Sequence, residues 1–125
     1  MLFDEKGVSL GLVCGEDITI NADPDRLSQI MINLLSNALK ATGRGGSVQI
    51  HVSHRTVTVI EVRDSGKGVS KEDLPFIFER FYRGEKGGLG IGLTIVRELI
   101  EAHGGRIEVQ SERDVGTVFR VELPA

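Results

Sequence analysis

The sequence predicts an α+β fold: a two-layer sandwich with helices on one face of a mixed, mostly antiparallel sheet. Three observations carry that expectation. Apolar residues alternate with period two at 8–14, 48–52, 57–62 and again near the end of the chain. They recur at the helical period from Pro24 to about Ala41 and over 90–102. The order is βαββ, loop, αββ, with no internal repeat and no linker, so residues 1–125 read as one domain.

Each element has its own signal. Val8, Leu10, Leu12 and Cys14 alternate with Ser9, Gly11 and Val13, predicting a strand with one buried face. On that reading the single cysteine, Cys14, is a small buried residue, as suits a reducing compartment. Residues 18–22 are expected as a second short strand. Asp23-Pro24 supplies an N-cap acceptor and a proline for the first helical turn. Leu27, Ile30, Met31, Leu34, Leu35 and Ala38 then mark the buried stripe of a helix that stops in the glycine-rich 42–46. Runs 48–52 and 57–62 stand at hairpin spacing and predict antiparallel neighbours. Leu74, Ile77, Phe78 and Phe81 predict one or two short helical turns over 71–81. The second long helix is expected over 90–102, with Ile91, Ile95, Leu99 and Ala102 on one face and 103–105 ending it. Strands at 107–110 and 118–123 close the chain.

Bulk composition excludes several classes. There are 18 acidic and 15 basic residues, and the basic ones are scattered, so the electrostatic footprint of a nucleic-acid binder is missing. No apolar run approaches the ~20 residues of a membrane span, and the first residues lack the basic start and apolar body of a signal peptide. The expectation is a cytoplasmic piece without direct membrane insertion, whatever anchors a longer parent.

Four constellations carry chemistry. Asn33 and Asn37 share a helix face, with Lys40 further along the same side. Isolated Asn pairs are commonly solvated surface positions. This helix, however, is apolar at most other places and Asn is a poor interior helix residue, which favours work for the pair. Amide oxygens are hard ligands suited to magnesium, and Lys40 can meet phosphates. Asp64 ends a strand and opens Asp64-Ser65-Gly66-Lys67-Gly68. It is either an ordinary turn residue or, if buried, an acceptor for an exocyclic amino group such as adenine's. Residues 76–82 hold four of the six aromatic residues, a satellite cluster with Arg80 and Arg83 beside it as candidate phosphate clamps. Finally, residues 84–92 contain five glycines and run into the second helix. Unpaired N–H groups and the helix dipole make such a start a natural anion site. The spacing matches neither the dinucleotide fingerprint nor a P-loop.

These blocks, in this order, resemble the catalytic ATP-binding domain of two-component sensor histidine kinases, a GHKL or Bergerat-type fold shared with gyrase-type, chaperone and mismatch-repair ATPases. The N box is matched by 33–40, the first glycine box by 64–68, the phenylalanine box by 76–81, the second glycine box by 88–92, and the closing Gly-Thr turn by Gly116-Thr117. The likeness runs from about Gly7 to Leu123, and the phenylalanine box points to histidine kinases over the other branches.

The resemblance implies ATP and Mg2+ as ligands, with Asn37 on the metal and Asn33 and Lys40 on phosphates. It makes Asp64 the adenine acceptor, supported by Thr117, and Gly66, Gly68, Ile77 and Leu93 part of the nucleotide site. It has Gly88, Gly90 and Gly92 offer backbone to phosphates, and Arg83 reach the γ-phosphate. It implies transfer of that phosphate to a histidine on a separate dimerisation domain, with a response regulator downstream. The ATPase branches carry a glutamate at the place of Asn33, which cannot serve as a general base, so hydrolysis is expected to be slow.

Three features depart from the pattern. Ala41 stands where an aromatic or His is usual. Five residues separate Tyr82 from Gly88, where the family has a longer lid. None of His51, His54 and His103 is followed by an acid, so no phosphoacceptor is present and all three read as surface or capping residues. An anti-sigma-type nucleotide-dependent interaction module and a degenerate, non-binding scaffold are the alternatives.

Overall fold

The computed structural model describes residues 6–14, 20, 22–54, 56–78 and 91–124. Strands β1 (Ser9–Cys14), β2 (Ser47–His54), β3 (Val57–Asp64), β4 (Arg106–Glu112) and β5 (Gly116–Pro124) form one sheet in the order β1-β2-β3-β5-β4. β1 lies parallel to β2, and every other neighbour is antiparallel. Helices α1 (Pro24–Ala41) and α2 (Ile91–Ala102) pack against each other and against the sheet, giving the expected two-layer α+β sandwich.

The register sorts the side chains by face. Val48, Ile60, Val62, Phe119, Val121 and Leu123 point to the helices and form the core with Ile30, Leu34, Val96 and Ile100. The opposite face is a charged lattice: Glu61 pairs with Arg63 and Arg120, while Glu122 pairs with Arg120 and with Arg106 at 3.2 Å. Hydrogen bonding to Arg106 lowers the Glu122 carboxyl pKa. The arginines of these pairs are largely exposed, so the pairs add little stability.

α1 begins and ends as its residues dictate. The Asp23 carboxylate accepts the N–H groups of Asp25 and Arg26 at 2.9 and 3.3 Å, and Pro24 needs no partner at the first turn. Ile30, Leu34 and Ala38 are buried. At the far end the Lys6 ammonium donates to the Leu39 carbonyl at 2.6 Å, and the buried Thr42 hydroxyl donates to Ala38 at 2.7 Å. Carbonyls that a helix end leaves unpaired are thereby met.

Two packing expectations are corrected. On α2 the fully buried positions are Leu93, Val96 and Ile100, whereas Ile95 and Leu99 are half-buried and Ala102 is exposed. Apolar residues cover more than half of the helix circumference, opposite Arg97, Glu98 and Glu101, so period alone permits either stripe, and contact with α1 and the sheet selects the one through Val96. On β1, Val8 just before the strand is buried, yet Leu10 is 40% and Leu12 67% exposed, and Cys14 is exposed as well. β1 is an edge strand, and α1 lies mainly over β3 with little reach onto β2, so the helix layer does not cover it.

Smaller differences concern boundaries. Ile20 and Ala22 lie outside any strand, and the rest of the expected strand at 18–22 is outside the described residues. The short helical segment is a 3-10 turn, Leu74–Phe76, with turns on either side through residue 78. His103 bridges the two helices: its Nε2 accepts the Asp23 N–H at 3.3 Å and its Nδ1 meets the Leu99 carbonyl at 2.8 Å. His51 and His54 bond Gln49 and Thr58.

Candidate functional site

On the helix-facing side of the sheet the rows through Ile60 and Val62 are apolar, and beyond them, at the end away from Thr58, the partners are Asp64, Thr117 and Ser111 from β3, β5 and β4. Alternation along each strand dictates this: Ile60, Val62, Asp64; Val121, Phe119, Thr117; Ile107, Val109, Ser111. A polar row at the rim, beside apolar rows, is where a ligand can meet hydrogen-bonding groups without entering the core.

Asp64 sits half-buried in that row. Burial pushes its carboxyl above the usual 3.8, opposed by hydrogen bonds from the backbone N–H groups of Gly66 and Thr117. The Gly66 bond to Oδ1 is 2.9 Å. Next along the row, Thr117 is 4% exposed and its hydroxyl lies 2.8 Å from that of Ser111. Ser111 in turn accepts the Val69 N–H at 2.7 Å.

The loop after Asp64 is clamped from both sides. The Lys67 N–H donates to the Ala41 carbonyl at 3.0 Å, and the Lys67 carbonyl accepts the Asp114 N–H at 2.7 Å. A Cβ on Gly66 would stand 2.4 Å from the Ala41 oxygen, and one on Gly68 2.2 Å from the Glu112 oxygen, with φ at +71° besides. Both glycines are therefore demanded by the protein's own backbone, which ties the end of α1, the end of β3 and the β4–β5 turn into one rim.

α1 carries its amides on the face that ends at this rim. Asn33, Asn37 and Ala41 follow at four-residue steps on one face, and Ala41 is the residue bonded to the Asp64 loop. Asn33 and Asn37 are half-buried, and among the described residues neither amide has a hydrogen-bond partner. Lys40 is exposed. At Ala41, where an aromatic or His is usual, it is the backbone carbonyl that bonds the Asp64 loop, a contact that does not depend on the side chain.

The other expected site residues divide in two. Ile77 and Leu93 are fully buried in the core, and Gly92 lies in the first turn of α2. The Phe78 carbonyl accepts the Thr94 hydroxyl at 2.8 Å, its ring meets Phe119 edge-on, and the Arg97 guanidinium lies 5.5 Å from the ring centre. Arg83, Gly88 and Gly90 are outside the described residues. Sequence reasoning missed Ser111. Its signal is faint but present, as the one polar residue on the inward period of β4.

A helix-covered mixed sheet with a half-buried strand-end carboxylate, and an amide-bearing helix joined to the loop behind it, is the architecture of the ATPase class to which the family match assigns the chain. Residues 22–125 match the family described as Histidine kinase-, DNA gyrase B-, and HSP90-like ATPase, and the chain belongs to it. It is 41% identical over 107 residues to the sensor histidine kinase ZraS of Salmonella typhimurium, covering 84% of this chain and 23% of that protein. With the signal transduction histidine-protein kinase BaeS of Escherichia coli it shares 42% identity over 129 residues, covering 98% of this chain and 28% of the relative. The chain thus spans about a quarter of the length of these relatives. Among solved structures, the nucleotide-free catalytic domain of histidine kinase ThkA superposes with a TM-score of 0.85 at 33% identity, over 98% of this chain and 82% of that one. Full-length ShkA, solved in complex with AMPPNP, gives 0.87 at 34% identity, over 98% and 27%.

Proposed function

We propose that this domain binds Mg-ATP and presents its γ-phosphate to a histidine on a separate dimerisation domain, as the catalytic domain of a cytoplasmic two-component kinase module with a response regulator downstream. The observation that carries the reading is Asp64: a carboxylate half-buried at a sheet rim, kept from full ionic comfort by burial, beside a loop anchored to α1. An acceptor there suits the amino group of adenine and opposes the carbonyl of guanine. Thr117 steadies it through the backbone, Gly66 and Gly68 let the loop close under the base, and Ile77 and Leu93 support the floor.

Asn37, with an amide that has no protein partner among the described residues, is the magnesium ligand in this reading, and its hard oxygen fits that ion. Bound there, the metal supplies charge neutralisation to the phosphates. Asn33 and Lys40 steer the phosphate chain, Gly88, Gly90 and Gly92 offer backbone N–H groups, and Arg83 meets the γ-phosphate. Phosphoryl transfer needs chiefly positioning and electrostatics from such residues. The analogue complex of ShkA and the names of the relatives support the same assignment.

The test has two stages. Titration with a fluorescent ATP analogue, with and without magnesium, is expected to give saturable, magnesium-dependent binding. Adding a purified histidine-bearing dimerisation domain and labelled ATP is then expected to yield acid-labile, base-stable phosphate. Binding without such phosphate would favour an anti-sigma-type module, and no binding at millimolar nucleotide a scaffold.

A further inference from the structure

We propose that Ser111 is a positioning residue for the purine: it fixes the direction of the Thr117 hydroxyl and thereby makes the sheet rim reject a carbonyl at purine C6. The inference rests on the nucleotide-binding reading above.

Hydrogen-bond bookkeeping leads there. The Ser111 oxygen carries one proton and two lone pairs. It accepts the Val69 N–H at 2.7 Å and donates to the Gly116 carbonyl at 3.2 Å. The Thr117 hydroxyl lies 2.8 Å away and either oxygen of that pair can donate; we assign the Ser111 proton to the Gly116 carbonyl, which can only accept, because both bonds are then made, with Thr117 as the donor to Ser111. Thr117 is 4% exposed and has no second proton, so only its lone pairs remain for a neighbour. Its cross-strand neighbour on the other side is Asp64, whose carboxylate is itself an acceptor. The rim therefore offers acceptors side by side, complementary to an amino group and adverse to a carbonyl oxygen. Without Ser111, the Thr117 proton is released and the hydroxyl can donate to that carbonyl.

The experiment measures dissociation constants for ATP and inosine triphosphate, which differ in the base at C6, with the wild-type chain, Ser111→Ala, the near-isosteric Ser111→Cys, Thr117→Val and the double variant Ser111→Ala with Thr117→Val. The wild type is expected to prefer ATP. Either Ser111 variant is expected to lower that preference by about fivefold, the scale of one ordinary hydrogen bond. In the Thr117→Val background, Ser111→Ala is expected to change the ratio no further. Equal weakening of both nucleotides, or an unchanged ratio, would assign Ser111 a merely structural role and overturn the inference while leaving ATP binding intact. A wild-type chain that binds neither nucleotide overturns this inference together with the proposed function. The Cys variant gives the answer if the Ala variant does not fold.

Discussion

The backbone N–H of Gly66 donates to the Oδ1 of Asp64 at 2.9 Å, so the turn that follows β3 is folded back onto the carboxylate at the end of that strand. The same side chain is the acceptor proposed to select adenine. Asp64→Asn exchanges that acceptor for an amide that can turn its NH2 outward. The preference for ATP over GTP is expected to fall by about tenfold or more, since a buried site built for a hydrogen bond discriminates strongly. Nucleotide competition assays check this, and unchanged discrimination removes Asp64 from the pocket.

The same variant has a pH signature. The folded-state carboxyl titrates above its ordinary 3.8, so folding favours the protonated form. That contribution is fully present below 3.8 and is lost as pH rises through the folded value. Asp64→Asn lacks this loss. Urea midpoints measured from acid to neutral pH are expected to shift in the variant's favour as pH rises, and parallel curves would contradict the burial argument.

Backbone crowding at the rim makes a third expectation. Gly66→Ala places a methyl 2.4 Å from the Ala41 oxygen, and Gly68→Ala places one 2.2 Å from the Glu112 oxygen. Each is expected to destabilise the fold by about 1–3 kcal/mol through overpacking. Gly43→Ala, with nothing within 4 Å, is the neutral control. Equal denaturation midpoints for all three would show that the clamp on the loop is not rigid.

His103 is expected to be the neutral Nδ1–H tautomer, because Asp23 N–H needs an acceptor at Nε2 and the Leu99 carbonyl needs a donor at Nδ1. Nitrogen-15 chemical shifts of the ring at neutral pH read this directly. His103→Ala removes both bonds and is expected to cost about 1–2 kcal/mol. The opposite tautomer in the spectrum would mean that the bridge between α1 and α2 is not made.

Within α1, Leu34 is fully buried and Ile32 is 63% exposed. Leu34→Ala is expected to lose about 2–5 kcal/mol, while Ile32→Ala should stay within about 0.5 kcal/mol. Thermal or urea unfolding of the pair compares them, and similar losses would mean that Ile32 has a packing partner.

Asn37→Ala is expected to abolish the increment that magnesium adds to ATP binding and to leave the metal-free affinity close to that of the wild type. Titrations with and without magnesium separate the two. A variant that keeps the full increment places the metal on other ligands.

How much of this was legible depends on the reach of the interactions involved. The bounds of α1 were readable because capping by Asp23 and Pro24 is local, and its buried stripe because polar residues flank it. The polar rim was half-readable: Asp64 and Thr117 stood out as motif positions, but Ser111 looked like any strand serine until β4 was seen paired with β5. Gly66 and Gly68 were legible as motif glycines. What approaches them was not, because Ala41 and Glu112 lie far away in sequence and come near only through folding.

Local periodicity, caps and the ordered glycine and amide blocks were enough, from the linear chain, to establish the α+β class, the element order and the family resemblance, since each depends on neighbours within a few turns of backbone. Which stripe of α2 is buried, why Leu12 and Cys14 stay exposed on β1, and how Ser111 comes to hold Thr117 were settled by folding alone. Those outcomes depend on which segments lie across from one another, and the energy of such contacts has no counterpart in any short stretch of sequence.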